Sequence, residues 1–309
     1  MNKDKDSLKI SKLVPHLAFK VWGGTKLKAY KAPKNSGVEP LGETWEVSRH
    51  PDGPSTESGG KGLRELFSES QLPYLVKLID TADNLSVQVH PDDDYASKHE
   101  NDKGKSECWL IIDSEPDCGI YLGLKEGVTR DQFKSAVEKN EAVNELLNFY
   151  EVSPGDFFFV PAGSIHALGN GVTLTEIQQS SGITYRVWDW NRLGMDGQPR
   201  ELHVDKAMDV INFDKSANKL EHFNFSKDNF SKSGKLVEHR DFKVHSFILK
   251  KNDSVEFKTE EPRINSLLVL DGELYIDGVD LKKFESAILA KESTLKIQAK
   301  EKSLFIIIS

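Results

Sequence analysis

The amino-acid sequence predicts a mainly β protein, a sandwich or barrel of short strands. Three observations lead there. Short runs rich in β-branched and aromatic residues recur along most of the chain, Gly, Pro or Asp bounds nearly all of them, and helical spacing is confined to two stretches.

In chain order, the first clear strand runs are Leu75–Ile79, Leu85–Val89 and Cys108–Ile112. The segment Thr129–Phe149, TRDQFKSAVEKNEAVNELLNF, breaks the rhythm: Phe133, Val137, Val143, Leu146 and Leu147 recur at helical spacing. Thr129 and Gln132 stand three apart at its start, the pattern of a capping box, so one helix or two short ones interrupt the strands here. Strand runs resume at Phe157–Val160 and Val172–Ile177, and Leu202–Ile211 reads as a second helix. From Asn212 to Lys235 the chain turns polar, with Lys, Asn and Ser, and reads as a linker. Strand runs follow at Lys243–Leu249, Ser266–Leu270, Glu273–Ile276, Ser286–Ala290, Leu295–Ile297 and Leu304–Ile308, with Asp271-Gly272 as a hairpin signal between two of them. The expected organisation is a first domain over 1–215, with its helical insertion at about 125–150, and a smaller all-β domain over 216–309.

Composition narrows the function. The 309 residues carry a net charge of −8 with no cluster of Lys and Arg among aromatics, which disfavours nucleic acid as a partner. No apolar run approaches the ~20 residues of a membrane-spanning helix. The opening MNKDKDSLKI lacks a signal-peptide core, so the expected location is the cytoplasm, and Cys108 and Cys118 are expected as reduced thiols. An anionic ligand would have to be met by a few local cations.

Three motifs bear chemistry. In SVQVHPDDDYA, Gln88 and His90 are two apart and project from one face of a strand. In GKSECWLIID, Glu107 stands at the mouth of an apolar strand. In SPGDFFFVPAGSIHALGNG, two tight turns bracket a strand and present His166 at the start of the next. Two imidazoles, one carboxylate and one amide oxygen suit a zinc ion that keeps one position for water or substrate. The absence of Cys from the set argues against a purely structural zinc.

These segments resemble the metal-binding motifs of type I phosphomannose isomerases. FKVWGG at Phe19–Gly24, LGETWEVS at Leu41–Ser48, LPYLVKLIDTADNLSVQVHPDDDYA and TEIQQSSGITYRVWDWNR are similar to that family's shared blocks, and the resemblance runs from about Pro15 to Ile211. It implies a cupin: a β-jelly roll catalytic domain with a metal inside and a helical insertion, plus a smaller C-terminal jelly-roll-like domain. By motif position it implies Gln88, His90, Glu107 and His166 as ligands of one Zn2+ per chain, with Lys105 and Arg186 as active-site residues. Trp22, Glu176 and His16 are weaker candidates for lining the substrate pocket. One departure is Gly182, where the family often carries an acidic residue.

The implied reaction is the interconversion of mannose 6-phosphate and fructose 6-phosphate through a cis-enediol. The implied partner is a small sugar phosphate, and the chain is expected as a monomer or weak homo-oligomer. Two other readings compete. An iron-dependent cupin oxygenase would rest on a more His-rich ligand set, and a sugar-sensing cupin would have lost a ligand or the Lys105–Arg186 pair.

Overall fold

The computed structural model describes residues 10–32, 40–260 and 262–309. Their contacts divide them into two compact units. Of the described residues, one is drawn from those within 17–44 and 77–227, the other from those within 10–16, 45–76 and 228–309.

The first unit is built on two sheets. A six-stranded sheet runs in the order Phe157–Val160, Glu107–Ser114, Val172–Gln179, Tyr74–Asp80, Leu41–Val47, His16–Gly24. A five-stranded sheet runs Tyr185–Trp188, Val87–Val89, His166–Leu168, Gly119–Leu124, Leu147–Glu151. Side chains alternate across each strand, so every strand serves two environments. Trp109 and Ile111, Leu174, Phe158 and Val160 from the first sheet meet Ile120, Leu122 and Leu168 from the second in one apolar layer. The opposite face of the five-stranded sheet presents Val87, Val89, Ile165, Ala167, Tyr185 and Val187, which would face water if nothing covered them. Phe133 and Val137 of the helix Arg130–Glu138, with Ala207 and Met208 of the helix Val204–Val210, cover that face. Each Phe, Val or Met among them taken from water contributes roughly 1.5–3 kcal/mol.

The helical expectations hold except at the end of the first segment, where Leu147–Phe149 begin the strand Leu147–Glu151. Thr129 accepts from the Gln132 amide at 3.2 Å, while the Gln132 side chain accepts from the Thr129 amide at 2.9 Å, which closes the capping box. A single turn of 3-10 helix at Val143–Leu146 completes the insertion. Among the described residues no helix is long and apolar enough to cross a membrane.

The second unit is a sandwich of a seven-stranded and a four-stranded sheet. Leu267, Val269, Phe305 and Ile307 from one sheet face Leu274, Ile276, Leu295 and Ile297 from the other.

Three expectations are corrected. A single cut near 215 does not describe the units, because Ile10 pairs with Leu289 and so joins the N-terminal strand to the C-terminal sheet. Tyr74 acts to the same end: its buried hydroxyl donates to Ile264 O at 2.8 Å and lies 2.9 Å from Ser266 Oγ. The stretch 212–235 is a linker only in its later part. Its first part coils into two 3-10 turns, Lys215–Asn218 and Leu220–Phe223, with Phe223 fully buried. The polar Asn218 is held inside by the Leu124 amide and the carbonyls of Asn212 and Asp214, so its polarity did not mean solvent.

Lastly, Asp271-Gly272 is not a hairpin. It passes the chain from Asn265–Asp271 in one sheet to Glu273–Ile276 in the other. The two-residue hairpin is Asp277-Gly278, closed by the pair Ile276 and Val279, with φ of 43° and 92°. Positive φ at both central residues matches the right-handed twist of the paired strands.

Tyr74→Phe deletes the buried hydroxyl and leaves Ile264 O without its donor. A loss of about 1–2 kcal/mol in urea-induced unfolding is expected, with the secondary structure by circular dichroism unchanged.

Candidate metal centre

The inner faces of the two sheets grade from apolar to polar along the strands. On Glu107–Ser114 the inward residues run Ile111, Trp109, Glu107, and on Val172–Gln179 they run Leu174, Glu176, Gln178. Strand pairing sets Gln178 opposite Glu107 and Glu176 opposite Trp109. In the five-stranded sheet His166 stands opposite Gln88, and Gln88 opposite Arg186. Residues directly opposite in an antiparallel pair share a face. A polar end of the enclosed space is thus assembled from both sheets.

Its centre is His90, Glu107 and His166, whose ligand atoms all lie within 4.8 Å of one another. His90 Nε2 is 3.4 Å from Glu107 Oε2, and His166 Nε2 is 3.4 Å from Glu107 Oε1. Each ring is turned by its other nitrogen: His90 Nδ1 is 2.9 Å from Ile183 O, and His166 Nδ1 is 2.9 Å from Ser164 O. An Nδ1–H donated to a carbonyl leaves the Nε2 lone pair facing inward, the tautomer a metal needs. Burial pushes both imidazoles down, His90 well below its ordinary value and His166 to about 4, with the Lys105 ammonium acting in the same direction on each. Both are therefore neutral near pH 7.

Lys105 Nζ lies 2.6 Å from Glu107 Oε2 and 3.0 Å from His90 Nε2. The other half of the donor set is unsatisfied: Glu107 Oε1 and His166 Nε2 are fully buried with no hydrogen-bond partner. Two acceptors facing one another in a dry interior call for a cation between them. Two imidazole nitrogens and a carboxylate therefore fit a divalent transition metal, and Gln88, half-buried on the same face as His166, stands where an amide oxygen could join them.

Around this centre lies a buried ionic network that sequence reasoning did not find. Lys77 Nζ is 3.1 Å from Glu176 Oε1 and 3.9 Å from Glu43 Oε2. Lys105 is 3.9 Å from Glu176 Oε1, and Trp109 Nε1 donates to Glu176 Oε2 at 3.1 Å. Burial alone would raise the Glu176 pKa, but Lys105 and Lys77, with the Lys77 and Trp109 hydrogen bonds, hold it down at about 2. Glu107 moves the other way, pushed up by burial and by Glu176. Burial of Lys77 opposes its charge, yet Glu176 and Glu43 outweigh that and raise its pKa. Lys77 sits in the apolar run Leu75–Ile79, a sign in the sequence of a partnered charge, whereas Glu43, between Gly42 and Thr44, carries no such sign.

The remaining candidates separate. Arg186 donates from Nη1 to Glu201 O at 2.8 Å, its Nε has no partner, and among the described residues it makes no ion pair. Asp189, three residues further on, is bound by Arg192 and Arg200. Trp22 is buried in the apolar layer. His16 belongs to the other unit, edge-on to Trp45 at 5.9 Å between ring centres.

Comparison with known proteins bears on this geometry. Residues 10–107 match the family described as phosphomannose isomerase type I, catalytic domain, and residues 226–309 match the quercetinase C-terminal cupin domain. A probable mannose-6-phosphate isomerase of Bacillus subtilis is 43% identical over 217 residues, covering 64% of this chain and 67% of that protein. The chain belongs to the type I phosphomannose isomerase family.

A mannose-6-phosphate isomerase of Streptococcus mutans is 39% identical over 216 residues, again 64% of this chain and 66% of the relative. In both cases the matched stretch spans about two thirds of the relative. The crystal structure of the mannose 6-phosphate isomerase from Bacillus subtilis superposes with a TM-score of 0.82 at 29% identity, covering 98% of this chain and 100% of that one. The mainly β, cupin architecture is shared along nearly the whole chain.

Glu107→Ala and His166→Ala are each expected to lose bound metal, measured by elemental analysis after dialysis. The β circular dichroism spectrum should persist, because the apolar layer is untouched.

Proposed function

We propose that the chain is a zinc-dependent aldose–ketose isomerase interconverting mannose 6-phosphate and fructose 6-phosphate through a cis-enediol. The observation that carries this reading is the buried His90–Glu107–His166 set, flanked by one lysine and one carboxylate held ionised.

His90, Glu107 and His166, with Gln88, would hold the metal. Zinc has no redox chemistry, and when bound it supplies Lewis-acid stabilisation to oxygens that gain negative charge. The rest of the work falls to the chain. Isomerisation removes a proton from C2 of the open-chain aldose and returns one to C1, while a proton shifts between O1 and O2. A carboxylate that stays ionised inside a protein can accept the carbon-bound proton, and Glu176 is such a group. Lys105, an ammonium beside the ligand set, can polarise O1 and O2 and steady their charge in the enediol. Arg186, which makes no ion pair among the described residues, is a cation that can meet the anionic substrate.

The burial of these groups supports the same reading, since a dry site keeps an enediol from side reactions and strengthens each electrostatic contact. The quercetinase-type match falls on 226–309, whereas the ligand set lies between 88 and 166. It therefore lends no weight to oxygenase chemistry at this centre.

The deciding measurement is fructose 6-phosphate formed from mannose 6-phosphate, before and after chelation and again with zinc restored. Turnover lost to the chelator and recovered with zinc is expected. A zinc-replete chain that leaves mannose 6-phosphate unchanged overturns the proposal.

Arg186→Ala is expected to raise KM for mannose 6-phosphate by roughly ten- to a hundred-fold, the scale of one lost charge-assisted contact of about 1.5–3 kcal/mol. An unchanged KM would remove Arg186 from the substrate site.

A further inference from the structure

We infer that Trp109 is a positioning residue for the isomerase reaction, acting through the hydrogen bond from its indole N–H to Glu176 Oε2; this rests on the isomerase reading above.

Glu176 lies on Val172–Gln179, which is flanked in the sheet by Glu107–Ser114 on one side and Tyr74–Asp80 on the other. Each neighbour sends one donor to it. Trp109 reaches Oε2 at 3.1 Å from the first, and Lys77 reaches Oε1 at 3.1 Å from the second. One donor on each oxygen, from opposite sides, fixes the plane of the carboxylate. Rotation about its terminal torsion, broad in a free Glu, would break both bonds.

The two donors differ in stiffness. Lys77 is a flexible four-carbon stem that also faces Glu43. Trp109 has two side-chain torsions and a flat ring, is 1% exposed, and packs edge-on against the ligand His166 at 5.3 Å between ring centres. An indole N–H is a donor only, and a buried one requires an acceptor. Glu176 supplies it, so ring and carboxylate hold each other. The remaining direction at Oε1 points toward Lys105 at 3.9 Å. Trp109 thereby aims a proton-accepting group from a fixed plate that also rests on the metal ligand. Its presence is not explained by volume alone, since Phe would fill the ring contact to His166 without reaching Glu176.

Trp109→Phe keeps ring packing and removes the N–H. The expected result is a kcat lower by about ten- to a hundred-fold, KM within about twofold, and zinc content unchanged. In a Glu176→Gln background the same substitution should have no further effect on kcat, because its route runs through the carboxylate. Multiplicative losses in the double variant, or zinc lost along with kcat, overturn the inference in favour of a packing role.

Should Trp109→Phe fold poorly, benzothienylalanine at 109 replaces the N–H by sulfur at nearly the same shape, and the same kcat loss is expected. Independently of turnover, the Trp109 indole N–H resonance, one of five in the chain, should move more than the other four in Glu176→Gln. An unmoved resonance overturns the hydrogen bond. An inactive wild type overturns the isomerase reading and the positioning role with it, whereas an active wild type with unchanged kcat in Trp109→Phe overturns the positioning role alone.

Discussion

Charges buried between two sheets must be neutralised by one another, and the functional unit is organised around that requirement. Glu43, Lys77, Lys105, Glu107 and Glu176 are all nearly or fully buried. An isolated buried charge is prohibitively unfavourable, so each carboxylate has a lysine within 4 Å. Three glutamates against two lysines leave one negative charge, besides the inward lone pairs of two neutral imidazoles. That imbalance suits a dication. With one in place the cluster would turn net positive, the sign that suits an anionic ligand. On the proposed reading, metal binding, substrate affinity and stabilisation of the reaction are aspects of one electrostatic arrangement.

The sheets make such a cluster tolerable by confining it to one end of the enclosed space. Along the inward faces Ile111 and Leu174 precede Trp109 and Glu176, and Leu168 precedes His166. The apolar layer supplies the stabilisation that holds both sheets together, and the polar end exploits their rigidity. The helices Arg130–Glu138 and Val204–Val210 serve this arrangement at a distance, since they keep water from the back of the strands that carry His166, Gln88 and Arg186. Trp109 stands where the two regimes meet, its ring counted in the apolar layer and its N–H committed to Glu176.

The second unit repeats the sandwich without the chemistry. Between its sheets the inward residues are Leu, Ile, Val, Phe and Ala, and no cluster of metal-ligating side chains occurs there among the described residues. The same architecture thus serves in one unit as a frame for buried charge and in the other as an apolar core, with the inward residues deciding which.

Much of this was written in the sequence. Strand positions followed from β-branched and aromatic runs with bounding turns, the helix start followed from Thr129 and Gln132, and the candidate ligands His90, Glu107 and His166 came from three separated motifs. All of these are local signals, set by the conformation a few neighbouring residues prefer. What the tertiary structure alone decided is who faces whom. Trp109 and Glu176 are 67 residues apart, and Lys77 and Glu176 are 99 apart. No periodicity joins them, and they meet only because Val172–Gln179 lies between the other two strands. The same reason explains the Asp271-Gly272 turn, the buried Asn218 and the N-terminal strand that joins the C-terminal sheet. Alternation tells which residues share a face of one strand, whereas sheet order, settled by long-range pairing and by burial of the whole apolar layer, tells which faces share a site.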